Sequence, residues 1–193
     1  MFVNLSLSLP QDHPIFSLAN SDGYGPTSHG HVGTHLDTYL QVPIPVDWCE
    51  RRAVLIDARS HGSVVSETAI DGLDIREGDM VIFRTGRMEE TAYTVPEYFM
   101  NHPVLDWELI RTLLKKKISF IGIDAAGIRP GKKLGDEHHL ADIECEESGC
   151  YVIENLTNLE SLPDRSRSDF PVRLGWIQHQ GASGVPVKVI AVV

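Results

Sequence analysis

The segment His31-Val-Gly-Thr-His-Leu-Asp37 constrains this chain more than any other. It sets two imidazoles and a carboxylate at positions 31, 35 and 37, all odd-numbered. Alternate residues of a β-strand point to one face. One short strand would therefore aim all three side chains the same way, with Gly33 between them leaving room. A helix would align 31 with 35 but rotate 37 well away. The segment is thus expected to be a strand at the wall of a sheet.

Three ligand-type side chains on one strand face read as most of a metal site. A lone histidine on a strand is ordinarily a satisfied core or surface residue. Two histidines and an aspartate buried together leave several polar groups to satisfy, which a divalent ion does directly. If the histidines merely filled a core, His35→Ala would change stability and nothing that depends on metal.

The rest of the composition narrows the class. The formal charge is −10, from 17 basic and 27 acidic residues. A nucleic-acid partner is not expected, because it needs a basic face. The N-terminus lacks a basic region and meets Pro10 early, which is unlike a signal peptide. No apolar run reaches the length of a membrane span. The expectation is a cytoplasmic, single-domain protein over 1–193 acting on a small molecule, with no membrane partner. The three cysteines, Cys49, Cys145 and Cys150, are expected to be reduced thiols. Of the nine histidines, His13, His61, His102 and His179 read as surface or incidental residues.

Along the chain, residues 2–7 alternate as a strand, and 8–29 form a long loop with prolines and glycines. Ile15, Phe16, Leu18 and Tyr24 of that loop would cover a pocket or pack onto their own domain. Residues 53–57 and 80–83 read as buried strands, and Ser66 as the cap of a short helix through Leu73. Asp106 caps a helix through Lys117 with an apolar stripe of Leu109, Ile110, Leu113 and Leu114. Residues 118–123 follow as a strand, which makes a strand–helix–strand unit and a mixed α/β fold. An acidic helix over 136–147 carries His138 and His139. Strands are expected at 151–153, near 171–178 and near 186–193. Arg165-Ser-Arg167 reads as a polar loop.

The strand segment resembles the H-x-G-T-H-x-D-x-P-x-H signature of the cyclase family, which includes bacterial kynurenine formamidases and isatin hydrolases. His31, Gly33, Thr34, His35 and Asp37 match it. Further matches are Gly78 to Gly86, Ile121 to Asp124, the paired histidines after Glu137, Val152 to Leu156, and Ser183 to Val187. The resemblance implies a swivelling β/β/α domain, with a mixed sheet or barrel flanked by helices. It implies the metal ligands His31, His35, Asp37, His138 and Glu154, and one or two zinc or manganese ions. It also implies a homodimer or homotetramer.

Two positions depart from the pattern. Tyr39 stands at the family's proline and Gln41 at its last histidine, and an amide neither titrates nor ligates metal well. Glu154 follows His138 by 16 positions, a longer interval than the family suggests.

The chemistry implied is metal-assisted hydrolysis of a small amide, formyl amide or cyclic amide. A divalent ion lowers the pKa of bound water to about 7. His138 is the leading ligand or general base, His139 the next. His29 is taken to share the strand face, Gln41 to hydrogen-bond substrate or water, and Thr34 to orient a ligand from behind. Two other readings stay open: a metal-binding relative without hydrolase activity, and a lyase or cyclase using the same ion.

Overall fold

The computed structural model describes residues 1–17, 25–93, 95–129, 138–162, 169–177 and 180–193. The side chains of Pro26 and His138 are also outside that description. Leu18, Tyr24, Glu137, Arg165, Arg167 and His179 therefore lie outside the described residues.

The described residues form ten strands and three α-helices. The strands are β1 (Phe2–Asn4), β2 (His35–Asp37), β3 (Glu50–Asp57), β4 (Val64–Val65), β5 (Met80–Arg84), β6 (Val104–Leu105), β7 (Phe120–Ile123), β8 (Tyr151–Glu154), β9 (Asp169–Trp176) and β10 (Gly184–Val192). The helices are α1 (Arg87–Glu90), α2 (Trp107–Lys115) and α3 (His138–Glu147). The main sheet runs β1-β10-β2-β8-β7-β5-β3-β9, and β9 pairs back onto β10. That last pairing closes the sheet into a barrel. β1 and β2 share one edge of β10, with Asn4 opposite Ile190 and Asp37 opposite Gly184. The fold is the expected mixed α/β architecture, a closed sheet with few helices.

Side-chain alternation explains the layers. On β5, Met80 and Ile82 face the barrel interior, while Val81 and Phe83 face outward beneath the helices. β3, β5, β7 and β8 are parallel neighbours, and helix cover on their outer side lets both faces be apolar. β9 lies antiparallel to β3 and β10, with Phe170, Val172 and Leu174 inside and Asp169, Pro171 and Arg173 in solvent. α2 buries Leu109, Ile110 and Leu113, and Asp106 caps it by accepting from Leu109 N at 2.7 Å. At the end of β7, buried Asp124 accepts from Thr85 N, Thr85 Oγ1 and Gly86 N at 2.6–2.8 Å. It ties the turn after β5 to its neighbour strand.

Several sequence expectations are corrected. β2 begins only at His35, so His31 is not on it, and residues 31–34 are irregular. Gly33 takes φ +58 and Gly30 φ +86, which bend the chain off the strand path. β1 ends at Asn4, beyond which Ser6 bridges to Leu156. Glu67–Ile70 is a single 3-10 turn, and Ser66 makes no side-chain cap to it. His13 and His102 are buried rather than on the surface, and His13 Nδ1 accepts from Ile15 N at 3.1 Å. The three cysteines are free, with Cys145 and Cys150 buried. No described helix is long and apolar enough to cross a membrane.

Gly184 bears directly on where His31 sits. A Cβ built there would lie 2.8 Å from Gly30 C and 2.8 Å from His31 N, both backbone atoms. Gly184→Ala must therefore push the 30–31 backbone away from β10. It should cost roughly 1–3 kcal/mol of stability, the usual cost of overpacking, read as a lower urea midpoint. A divalent-metal titration of the same variant should show weaker binding than wild type.

Candidate metal centre

β2 is three residues long and fully buried, lying between β10 on one side and β8 on the other. Leu36 points into the barrel, beside Val185 and Ile153. The period of two then sends His35 and Asp37 to the outer face. Register sets Glu154 of β8 directly opposite His35 on that face. His31 arrives from the irregular segment before the strand. One ligand atom each of His31, His35 and Asp37 lies within 4.8 Å of the other two.

The atoms turned toward one another are imidazole nitrogens and carboxylate oxygens, the atom types that ligate a metal. His35 Nδ1 donates to Gly33 O at 2.9 Å, which leaves the lone pair on Nε2. That Nε2 lies 3.0 Å from His31 Nδ1, 3.6 Å from Asp37 Oδ1 and 3.5 Å from Glu154 Oε2. His31 Nδ1 is also 3.2 Å from Asp37 Oδ1, and its Nε2 is held at 2.8 Å by Ser183 Oγ. Burial, more than any neighbour, holds the pKa of His35 below its ordinary value, so the ring is a neutral donor of its lone pair. Burial likewise pushes the Glu154 carboxyl well up, and Asp37 and Asp142 add to that through like charge. Two imidazoles and two carboxyls gathered at one place are the donor set of a divalent cation site. The residues present fit a metal.

An outer layer fixes these groups. Asn155 takes φ +58 and donates from Nδ2 to Gly33 O at 3.0 Å, the carbonyl that orients His35. Tyr98 OH donates to Asn155 Oδ1 at 2.8 Å, and Gly33 N donates to Tyr93 OH at 3.0 Å. Thr34 Oγ1 donates to Asn155 O at 2.7 Å and accepts from Leu7 N. Thr34 thus braces the segment behind the ligands, as expected. Such partners hold ligand rings in one orientation.

The remaining sequence-derived candidates are placed as follows. Gln41 sits at φ +59, and its Nε2 donates to Thr38 O and Ala182 O while Oε1 accepts from Gly181 N. Its amide is committed to backbone, and it ties the loop after β2 to the turn before β10. His29 lies in an exposed 3-10 turn, Pro26–His29, and shares no strand face with His31. His138 opens α3, but its side chain is outside the description. His139 meets the Tyr39 ring at a tilt, with centroids 4.6 Å apart, and the Tyr39 ring centroid in turn lies 5.9 Å from that of His31. Burial first, then the carboxyls of Asp37, Asp142 and Glu154, hold the Tyr39 phenol protonated well beyond the ordinary range.

Sequence reasoning missed Asp142 and Glu146, both buried on α3. Glu146 accepts from Leu40 N at 2.8 Å and Val42 N at 2.9 Å, binding the loop after β2 to the helix. Asp142 is pushed well above the carboxylate range by burial and by Asp37. The signal for it was the four-residue interval from His138, one helical turn. A separate open groove of about 610 Å³, lined by Leu7, Leu9, Phe16, Val32 and Trp176, touches Gly33 and Thr34 but none of the ligand side chains.

Comparison with known proteins matches the fold and gives the family. The family model described as putative cyclase matches residues 3–129. A structure named as a potential metal-dependent hydrolase with cyclase activity is 20% identical, with TM-score 0.71 over 99% of this chain and 96% of that one. Isatin hydrolase A from Labrenzia aggregata is 19% identical, with TM-score 0.76 over 99% of this chain and 93% of that one. A predicted metal-dependent hydrolase from Bacillus stearothermophilus is 19% identical, with TM-score 0.68 over 99% of this chain and 97% of that one. No match is found among curated proteins. With the family model spanning most of the chain and the His31, His35 and Asp37 cluster on its outer barrel face, this protein belongs to the cyclase family.

Proposed function

We propose that this protein is a metal-dependent hydrolase of a small amide, a formyl amide or a cyclic amide. The observation that carries the reading is the convergence of ligand atoms from His31, His35 and Asp37, all within 4.8 Å of one another. His31, His35, Asp37 and Glu154 would hold the ion, with His138 a further ligand by its position at the head of α3. A divalent ion bound there supplies an ionised water nucleophile near neutral pH and polarises a carbonyl.

The chain's own groups then divide the remaining work. The His31 side chain is 23% exposed, whereas those of His35 and Asp37 are only 3% and 2% exposed, so substrate approaches along the His31 and Tyr39 side. Tyr39 keeps its proton and serves as an O–H donor to the substrate carbonyl or the departing nitrogen. His139, in tilted ring contact with Tyr39, positions that phenol. Gln41 shapes the loop and transfers no proton. Similar structures are named isatin hydrolases, so a cyclic amide of that kind is the first substrate to test.

The test compares chelator-treated protein with the same protein reloaded with manganese or zinc, on a formyl amide, a lactam and a lactone. Hydrolysis of a C–N bond should require the ion. His35→Ala should lower kcat/KM by about 100-fold or more while the fold, followed by circular dichroism, persists. Metal uptake without turnover of any of these would favour a non-hydrolytic relative. A cyclised or eliminated product would favour the lyase reading.

Metal affinity should also depend on pH with a definite sign. Asp142 and Glu154 have raised pKa values, so in the metal-free protein they keep protons that a free carboxyl would lose. Their contribution to metal-free stability is present below the unfolded value near about 4 and is lost as pH rises through the folded values. A cation needs them ionised, so binding releases protons and tightens over the same rise. Calorimetry in two buffers of different ionisation enthalpy should report net proton release on metal binding, in the pH range where the two acids of the metal-free protein still hold protons. Zero release would contradict the raised values.

A further inference from the structure

We infer that Asp142 is itself a ligand of this centre, and that as an added carboxylate it tunes the site toward a hard divalent cation such as manganese. The inference rests on the metal-binding reading above and goes beyond it in ligand set and ion preference. Asp142 lies on α3, which packs against β8, the strand that carries Glu154. It is 5% exposed, and its Oδ1 has no hydrogen-bond partner among the described residues. No lysine or arginine pairs with Asp142 or with Glu154 among those residues, and Glu154's ion-pair partner is His35. Asp37, Asp142 and Glu154 are all buried, Asp142 on the helix packed against β8, Glu154 on β8 and Asp37 on the strand paired to it.

A neutral acid would still need a partner for its second oxygen, and an ionised one needs a cation. A divalent ion on the outer face of β2 meets that need, because that is where Asp37 and Glu154 already point. Asp142 then brings the protein donors to two imidazoles and three carboxylates, beside whatever His138 adds. Imidazole favours zinc, whereas carboxylate oxygen favours manganese or magnesium. Zinc binds most mixed sites more tightly than manganese in absolute terms. The effect of Asp142 is therefore read as a ratio: it narrows the advantage of zinc.

The experiment titrates metal-free protein with Mn2+ and with Zn2+ by calorimetry, for wild type, Asp142→Asn and Asp142→His. Thermal melts are run with and without each ion. Asp142→Asn should weaken Mn2+ by about 10–100-fold, and Zn2+ by less. It should leave the metal-free melting temperature equal or higher, because it removes a buried acid, while shrinking the gain that Mn2+ gives. Asp142→His, which offers nitrogen in place of oxygen, should move the Zn2+ to Mn2+ affinity ratio at least about tenfold toward zinc. Electron paramagnetic resonance of bound Mn2+ should differ between wild type and Asp142→Asn.

Unchanged Mn2+ affinity and an unchanged resonance in both variants would overturn the inference and make Asp142 a buried structural acid. Equal weakening of both ions in both variants would do the same. If wild type binds neither ion, the metal reading fails first, and that result is distinct from a failure at Asp142 alone.

Discussion

The site depends on a three-residue strand held from both sides. β2 pairs with β10 through Asp37 opposite Gly184 and with β8 through His35 opposite Glu154. Leu36 plugs the barrel interior, and by alternation its two neighbours have to face outward. A one-residue slip would bury a histidine and an aspartate in the barrel and expose Leu36. Leu36 is fully buried, so the hydrophobic term that closes the barrel also aims the metal ligands. The same register sets Glu154 beside His35 without any loop having to be ordered.

The sequence reveals those parts whose geometry follows from local periodicity. The pairing of His35 with Asp37 across Leu36 is of that kind, as are the capping of α2 by Asp106 and the two-faced burial of β5. His31 shows the limit. Its odd-numbered position suggested a shared strand face, yet it reaches the same point from an irregular segment. The close approach of Gly30 to Gly184, some 150 residues away in the chain, places it there. That contact exists only once β10 has closed the barrel, and no local pattern encodes it.

Gln41 and Asp142 were misread or missed for a related reason. At Gln41 the motif position drew attention to lost chemistry. The structure shows instead a residue at φ +59 whose amide satisfies three backbone groups and ties the loop after β2 to the Gly181–Ala182 turn. Glu146 secures the same loop from the helix side through Leu40 N and Val42 N. These are answers to buried backbone polarity, and they appear only when the loop is docked. Asp142 looks like one more acid in an acidic helix until α3 lies against β8. Only then is it buried beside the strand that carries Glu154.

Gathering carboxyls away from lysine and arginine has a cost that the metal-free chain carries. Burial disfavours each ionised form, and each neighbouring acid adds to that. The protein meets the cost by keeping protons, which leaves oxygens such as Asp142 Oδ1 without a partner. A cation replaces those protons and satisfies the oxygens at once, so binding free energy and folding free energy become linked at this site. The network of Tyr98, Asn155 and Gly33 O stays useful in both states, because it orients His35 whether or not an ion is bound. On the proposed metal reading, the barrel and its hydrogen-bond network would hold the His35 imidazole in place in both states, while the carboxylate side, part of it on α3, would be the side whose protonation changes when metal enters.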